Sequence, residues 1–419
     1  MFRGARYGLL GVAVLVAGLW PAAAAQEEAR PQAQLRPVTT AISAASEQKL
    51  RAAFEHIYSL EFEPALELFA EVAQAEPESA TVRAFWASAL LYEILARQGS
   101  LQSQLFVTTN EFLKHQRLPS DPALDQRFRA VSRDALALAL RRLQQERNDT
   151  DGLFAAGLIY GNQANYSAGV EAKYFDGLRR GEKAYDYHKR LRKLRPEIHD
   201  PGVVLGVHDY VLGSLPPVHR FFLFFAGVRG SRERGLAYLK EAATQGEFLR
   251  TYAQVLLVVA YIRQQQLDNA RALVEDLRAR YPRNPIFTLE LAKLYRHRQR
   301  TLEAEQLCRS LVAELVAHPH NPRVVGPEDA LLELGLVEDA AGDPERALES
   351  LAQVEHIPEA SQRVWARALL ERGKILDRLG RREQARGEYE KVIRLAAYPE
   401  VTRLASAYLK RAFKPDERN

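Results

Sequence analysis

The chain has 419 residues, of which 47% are hydrophobic and 26% are charged, so its composition excludes a disordered polypeptide and permits a large buried core. Its formal net charge of +5 is small for this length and gives no indication of a nucleic-acid partner. The single cysteine, Cys308, excludes an internal disulfide, so packing must stabilise the fold.

The first 25 residues have the pattern of an export signal. Arg3 and Arg6 precede an uncharged apolar run over residues 7–20, and the small residues at 21–25 provide a cleavage site before about Gln26. The apolar run is shorter than the ~20 residues that a membrane-spanning helix needs. We therefore expect residues 1–25 to be a signal peptide and the chain to be exported, to a bacterial periplasm.

Composition divides the rest of the chain into four parts. Residues 26–45 lack apolar periodicity and predict a flexible linker. From Ser46 onward, apolar residues recur three and four apart, which is typical of helices, and strand signals are nearly absent. We expect a divergent helical region over 46–245, a C-terminal repeat array with a capping helix over 246–413, and a charged tail over 414–419.

Four segments, 61–77, 266–282, 342–358 and 380–396, align on one alanine and on a larger side chain four residues later. The aligned pairs are Ala65 and Phe69, Ala270 and Val274, Ala347 and Leu351, and Ala385 and Tyr389. Small residues such as Gly335 and Gly373 recur in the preceding segments. This pattern resembles the tetratricopeptide repeat, in which a small residue lets two helices approach closely. The resemblance implies an all-α fold, a right-handed α-solenoid of helical hairpins in which each hairpin packs on its neighbours.

The middle of the chain is less regular. Gly157 and Tyr160 have the spacing of a first helix, and Ala184, Leu191 and Pro196 have that of a second helix, with an insertion over 161–180. The segment 98–125 is also off the repeat period. We therefore expect a solenoid with a divergent central part.

A second resemblance covers residues 200–245. The segment has a glycine-spaced helix, a turn with two prolines, an apolar helix and a glycine-rich turn, with these matching residues: Gly206, Ser214, Leu215, Pro216, Pro217, Gly227, Gly230, Arg232 and Gly235. It resembles the eukaryotic inclusion-body-clearance family of tetratricopeptide-like proteins. Val228 and Ser231 depart from the family pattern, so the resemblance implies shared packing.

Four phenylalanines in this segment have three interpretations: Phe221, Phe222, Phe224 and Phe225. They can fill a joint between repeats, receive the apolar segment of a partner, or contact a lipid surface. A spanning helix is excluded because the uncharged run is only Phe221 to Val228. Packing in the core is the interpretation that we favour.

Two His-Asp pairs invite a metal-site interpretation: His199-Asp200 and His208-Asp209, with His219 following. On one continuous helix the two pairs would lie on nearly opposite sides, so they could not bind one metal ion. Asp200-Pro201 is also typical of the start of a helix. We expect no metal and no other cofactor. The sequence contains no His-Glu-x-x-His motif, dinucleotide fingerprint or phosphate loop, so we predict a protein that is not an enzyme.

Two polar stretches could contact a partner. The basic run 189–195 has Leu191 and Leu194 on a buried side, which favours an ordinary solvated face for its charges. Asn162, Gln163 and Asn165 lie in a stretch of small residues; close helix packing explains them, and contacts to a partner are the alternative.

The repeat alignment also predicts the surface on which a partner binds. First helices line the concave side of such arrays, where five cations are expected: Lys293, Arg296, Arg367, Lys374 and Arg378. Asp329 and Asp339 oppose them. The hypothesis is a non-catalytic scaffold that binds a protein or peptide, possibly an acidic one, and not nucleic acid. The alternative is a membrane- or envelope-associated helper that uses the phenylalanine-rich helix; the oligomeric state is open.

Overall fold

The computed structural model of the protein describes residues 42–99, 101, 121–217, 229–319, 322–396 and 398–415. These residues form α-helices and no β-strand, which confirms the all-α prediction. The helices are α1 (Ala44–Tyr58), α2 (Phe62–Ala75), α3 (Ala80–Arg97), α4 (Pro122–Gln145), α5 (Thr150–Gly169), α6 (Tyr174–Leu194), α7 (Gly202–Ser214), α8 (Arg232–Gln245), α9 (Arg250–Arg263), α10 (Leu267–Arg280), α11 (Pro285–His297), α12 (Thr301–Ala317), α13 (Pro327–Ala340), α14 (Pro344–Gln353), α15 (Gln362–Arg378), α16 (Arg382–Leu395) and α17 (Pro399–Lys410).

Local sequence sets where these helices begin. Ser79 and Asp149 precede α3 and α5, and their side chains accept hydrogen bonds from backbone N–H groups of the first turn. Proline occupies the first position of α4, α11, α13, α14 and α17, where its missing N–H has no helical partner to lose. Except between α3 and α4 and between α7 and α8, short connections join successive helices into antiparallel hairpins, so the described residues form an α-solenoid of tetratricopeptide-like hairpins.

The seams between paired helices have the small-to-large packing that the repeat pattern predicts. The aligned alanines are fully buried: Ala65, Ala270, Ala347 and Ala385. Gly373 in α15 faces the buried ring of Tyr389 in α16, and Gly335 in α13 faces Leu351 in α14. A methyl group at either glycine would overlap the facing side chain, so these glycines are required for the close approach of the helices.

A histidine occupies one of these seams in the divergent region. His188 in α6 lies against Gly157 in α5, is fully buried, and its Nε2 lies 3.0 Å from the carbonyl oxygen of Phe154. It follows Ala184 by four residues, the spacing of the large residues in the repeats. Burial lowers the pKa of His188 to about 4, although the backbone hydrogen bond acts in the opposite direction.

Contacts in the N-terminal region extend beyond neighbouring hairpins. The rings of Phe54 in α1 and Phe154 in α5 both pack on Phe85 in α3, with centroid distances of 5.1 and 5.9 Å. Phe248, in the turn before α9, completes the cluster at 5.2 Å from Phe85. The aromatic cluster, defined as these four residues, therefore joins α1, α3 and α5 to the start of α9.

Polar contacts strengthen this long-range packing. Asn284, at the start of α11, donates a hydrogen bond of 2.8 Å to the carbonyl oxygen of Tyr58, a residue 226 positions earlier. Tyr92 in α3 packs edge-on against Tyr252 in α9 at 5.4 Å. The first hairpin thus contacts both its neighbours and the helices that follow residue 246, which the repeat pattern does not predict.

We expect Gly373→Ala to lower the free energy of unfolding by about 1–3 kcal/mol, because the added methyl group overlaps Tyr389. Gly387 in α16 has no neighbouring atom within 4 Å of an added Cβ, so Gly387→Ala is the matched control. It should leave stability unchanged or raise it by up to about 1 kcal/mol. Urea denaturation followed by circular dichroism measures the free energy of unfolding of both variants. Equal effects of the two substitutions would contradict the close packing of Gly373 against Tyr389.

The buried His188 also predicts a dependence of stability on pH. Its pKa in the folded chain, about 4, lies below the unfolded value of 6.5. The contribution of the neutral ring is therefore fully present above pH 6.5 and is lost as the pH falls towards 4, by about 3 kcal/mol in total.

This loss should be smaller in His188→Gln, which cannot be protonated. Between pH 7 and pH 4.5, the free energy of unfolding should fall by about 2–3 kcal/mol less in the variant than in the wild type. His318 is exposed, so His318→Gln should keep the pH dependence of the wild type. If all three proteins lose the same stability over this range, His188 is not the buried neutral group described.

Candidate functional site

The predicted concave cations lie on a surface whose charges are linked across three helices. Arg296 in α11 contacts Glu333 in α13 at 2.6 Å, and Arg378 in α15 forms an ion pair with Asp339 in α13. Arg367 and Lys374 share a side of α15 because seven residues make about two turns. We call the surface formed by Lys293, Arg296, Asp339, Arg367, Lys374 and Arg378 the charged face.

Most cations of the charged face are already paired within the chain. In addition to the two pairs above, Lys293 contacts Glu290 at 2.6 Å and Lys374 contacts Glu371 at 2.7 Å. These four paired cations remain 21–34% exposed. Arg367 differs, because it is exposed and forms no ion pair with the residues that the structure describes. The face is therefore close to neutral, with one accessible positive charge.

Burial and ion pairing have opposite effects on the pKa values of Lys293 and Glu290, which lie at the start of this face. Burial disfavours the charged form of Lys293, but the carboxylates of Glu290 and Glu333 outweigh it and raise its pKa. Burial raises the pKa of Glu290, and the ammonium of Lys293 counters that shift. Asp329 also favours the charged form of Lys293 and so raises its pKa; that Asp329 faces the cations across a groove stays a prediction.

The predicted amide site is largely used for packing. Asn162 in α5 is buried and donates to Ser88 Oγ in α3 at 2.8 Å. Gln163 accepts a hydrogen bond of 2.6 Å from Arg180 in α6. Of the three amides, Asn165 is the exposed one. Two of them therefore hold helices together, and their contact with a partner stays a prediction.

The two His-Asp pairs have separate partners. His199 lies 2.6 Å from Glu241, whereas Asp200 accepts hydrogen bonds from the backbone amides of residues 247–249. His208 contacts Glu182 at 2.8 Å, and Asp209 forms an ion pair with Arg234. Within the described ranges, no group of three or more His, Cys, Asp or Glu residues could hold a metal ion. His219 lies outside the described residues.

The remaining predicted residues divide between surface and undescribed segments. Leu191 in the basic run is buried as expected, but Leu194 is 39% exposed, so the expectation for Leu194 is wrong. It lies at the end of α6, where no later turn of the helix covers it. Phe221, Phe222, Phe224 and Phe225 lie outside the described residues. Among the helices that the structure describes, none combines the length and apolarity needed to cross a membrane.

The sequence interpretation missed a contact between the C-terminal segment and α15. Asp377 is fully buried, and its Oδ2 accepts hydrogen bonds from the backbone N–H of Phe413 at 2.7 Å and from the hydroxyl of Tyr389 at 3.0 Å. The ammonium of Lys374, a residue of the charged face, lies 5.0 Å from the centre of the Phe413 ring. One aromatic residue in a tail of otherwise small or charged residues was the available signal.

The sequence matches two family models. Residues 199–317 match the model described as Iml2/Tetratricopeptide repeat protein 39, and residues 367–399 match a tetratricopeptide repeat model. These two matches support a tetratricopeptide repeat protein with an Iml2-like segment. Both predicted resemblances are thereby confirmed, and the Iml2-like segment of this repeat protein extends beyond residue 245 into α9–α12.

Several solved structures are similar to this repeat protein at low identity. The crystal structure of PilW, a widely conserved type IV pilus biogenesis factor, is 17% identical, with a TM-score of 0.37 over 58% of this chain and 94% of that chain. Yeast Tom70 is 11% identical, with a TM-score of 0.41 over 87% of this chain and 81% of that chain. The human IFIT1 dimer with m7Gppp-AAAA is 14% identical, with a TM-score of 0.42 over 88% and 82%. A search of curated protein sequences found no match.

Proposed function

We propose that this repeat protein is an exported, non-catalytic scaffold that binds an acidic segment of another protein on the charged face. The observation that carries the proposal is the position of Arg367, an exposed and unpaired cation on the same side of α15 as Lys374. A partner carboxylate can pair with Arg367 without breaking an existing ion pair. The tetratricopeptide repeats themselves support the general role, because such arrays present extended surfaces for binding.

The paired cations can add to this interaction without losing their present partners. Arg296 uses Nε and Nη2 to bind Glu333, and its Nη1 makes no hydrogen bond to the described part of the chain. A guanidinium group has five donors in a fixed geometry and can bind two carboxylates. Since Arg378 is similarly held by Asp339 and 34% exposed, successive helices offer positive groups at fixed positions. We infer that the acidic neighbours select partners by charge pattern.

The positions of His188 and Cys308, two groups whose pKa values are strongly shifted by burial, support the non-catalytic part of the proposal. His188 is enclosed between α5 and α6, and burial raises the pKa of the Cys308 thiol well above its usual value. Both occupy the large positions of helix seams, where they contact protein on all sides. Such groups stabilise packing and have no substrate access.

An array of immobilised twelve-residue peptides with zero, two or four Glu residues in a Gly/Ser/Ala background tests the charged face. Retention of the purified full chain should rise with the number of Glu residues and fall as NaCl is added. Arg367→Glu should reduce retention on the four-Glu peptide at least about threefold, because an attraction becomes a repulsion. Arg386 in α16 is also exposed, and Arg386→Glu is the matched control with the same change of net charge.

Two outcomes would contradict the proposal. Retention that does not depend on the number of Glu residues would exclude an acidic partner. Equal losses in Arg367→Glu and Arg386→Glu would show that binding responds to net charge and not to the charged face.

Export is tested with a fusion of residues 1–45 to an alkaline phosphatase that is active only outside the bacterial cytoplasm. The fusion should be active and should be cleaved after about Ala25, as read by mass spectrometry. Val14→Arg places a charge in the apolar run and should abolish activity. An inactive, uncleaved wild-type fusion in cells that export a control signal would overturn the prediction.

A further inference from the structure

The residues after α17 fold back onto α15. After the helix ends at Lys410, residues 411–415 return so that the N–H of Phe413 reaches the Asp377 carboxylate at 2.7 Å. The Phe413 ring then lies between two side chains. The ammonium of Lys374 is 5.0 Å from its centre, and the ring of Tyr408 packs edge-on at 5.2 Å.

This contact is not needed to complete α17. The carbonyl oxygens of Tyr408 and Leu409 at the end of the helix already accept hydrogen bonds of 2.9 and 2.8 Å from Arg382. The backbone N–H of Arg411 bonds the carbonyl oxygen of Ala407, so three carbonyl groups of the last turn have partners without Phe413. The return of Phe413 to α15 is a separate interaction between an extended segment and a helix.

Asp377 is a preorganised hydrogen-bond acceptor at this contact. Its side chain is fully buried and is held in place by Arg382 at 2.9 Å and by the Tyr389 hydroxyl at 3.0 Å. Its Oδ2 accepts the peptide N–H of the tail, so any residue with a free N–H can make this bond. Lys374 and Tyr408 then select for an aromatic side chain by cation–π and edge-to-face contact.

We propose that residues 411–415 occupy a recognition site for an extended segment that carries an aromatic residue, and that such a segment of a partner displaces them. The proposal rests on the proposed function in placing α15 within the partner-binding surface. A carboxylate one or two residues from the aromatic ring would reach Arg378, which lies one helical turn beyond Lys374 and is 34% exposed. The partner is thus a short linear segment with an aromatic residue beside an acidic one.

Displacement is physically accessible because few groups hold the tail. Phe413 is half-buried, and the tether between α17 and Phe413 is two residues long, residues 411 and 412. A short tether gives the tail an effective concentration in the ~millimolar range, which a free segment with equal contacts must overcome. A partner with one more ion pair can do so.

The chain's own tail provides a probe that is independent of any acidic partner. A labelled peptide with the sequence Leu-Lys-Arg-Ala-Phe-Lys-Pro, which matches residues 409–415, contains no acidic residue. We expect it to bind the full-chain variant Phe413→Ala at least about tenfold more tightly than the wild type, because the variant tail no longer fills the site. The same peptide with Ala in place of Phe should not distinguish the two proteins.

Two matched variants complete the fluorescence-anisotropy experiment. Lys414→Ala changes an exposed residue of the same tail and should bind the peptide as weakly as the wild type does. Adding Lys374→Met to Phe413→Ala keeps the length of the side chain but removes the charge over the ring. It should weaken peptide binding about threefold, as expected for an exposed cation–π contact. Equal peptide affinity of Phe413→Ala and the wild type would overturn the proposal.

A measurement on the unaltered protein covers the case in which Phe413→Ala does not fold. The Phe413 amide of the wild type, protected by Asp377, should lose protection from hydrogen exchange as the Phe-containing peptide is added to millimolar concentration. Protection that persists at the highest concentration would also reject the proposal. Neither assay uses an acidic probe, so the two proposals can fail separately. The tail site can be rejected while acidic peptides still bind the charged face, and acidic peptides can fail to bind while the tail peptide still does.

Discussion

The carboxylate of Asp200 fixes the turn that leads into α9, and the long-range packing of the aromatic cluster depends on this turn. It binds three consecutive backbone amides at the start of α9, at 2.6–3.0 Å, in a fully buried position. Burial raises the pKa of Asp200, and the three N–H donors counter the shift. The turn fixed in this way carries Phe248 into the aromatic cluster. Asp151 acts similarly at the start of α3, where it accepts from the amides of Ala80 and Thr81.

The helical seams could be predicted from the sequence because they depend on residues close together in the chain. A small residue in one helix and a large one in the next follow from a repeating pattern, and the structure places Gly373 against Tyr389 accordingly. His188 occupies the same kind of position, but a polar residue there does not fit a pattern defined by apolar side chains. The aromatic cluster could not be predicted, since contacts between residues so far apart have no period in the sequence.

The ion pairs of the candidate site could not be predicted from the sequence. The repeat alignment assigned its cations to α11 and α15, but their pairing depends on the register between adjacent helices, which the pattern does not contain. Arg296 meets Glu333 and Arg378 meets Asp339 only because α13 lies between α11 and α15. A partly exposed pair such as Arg378 and Asp339 stabilises a fold weakly, so its main effect is on which partners the surface accepts.

The contacts of α1 and α3 with α9 and α11 also constrain the order in which the chain folds. In an array with contacts between neighbours alone, any hairpin can form first and structure can spread from it. Here Tyr58 meets Asn284 across 226 residues, so α1 and α3 cannot complete their packing until α9 and α11 have been synthesised. Closing so large a loop slows folding and leaves the apolar sides of the first helices exposed to water in the meantime.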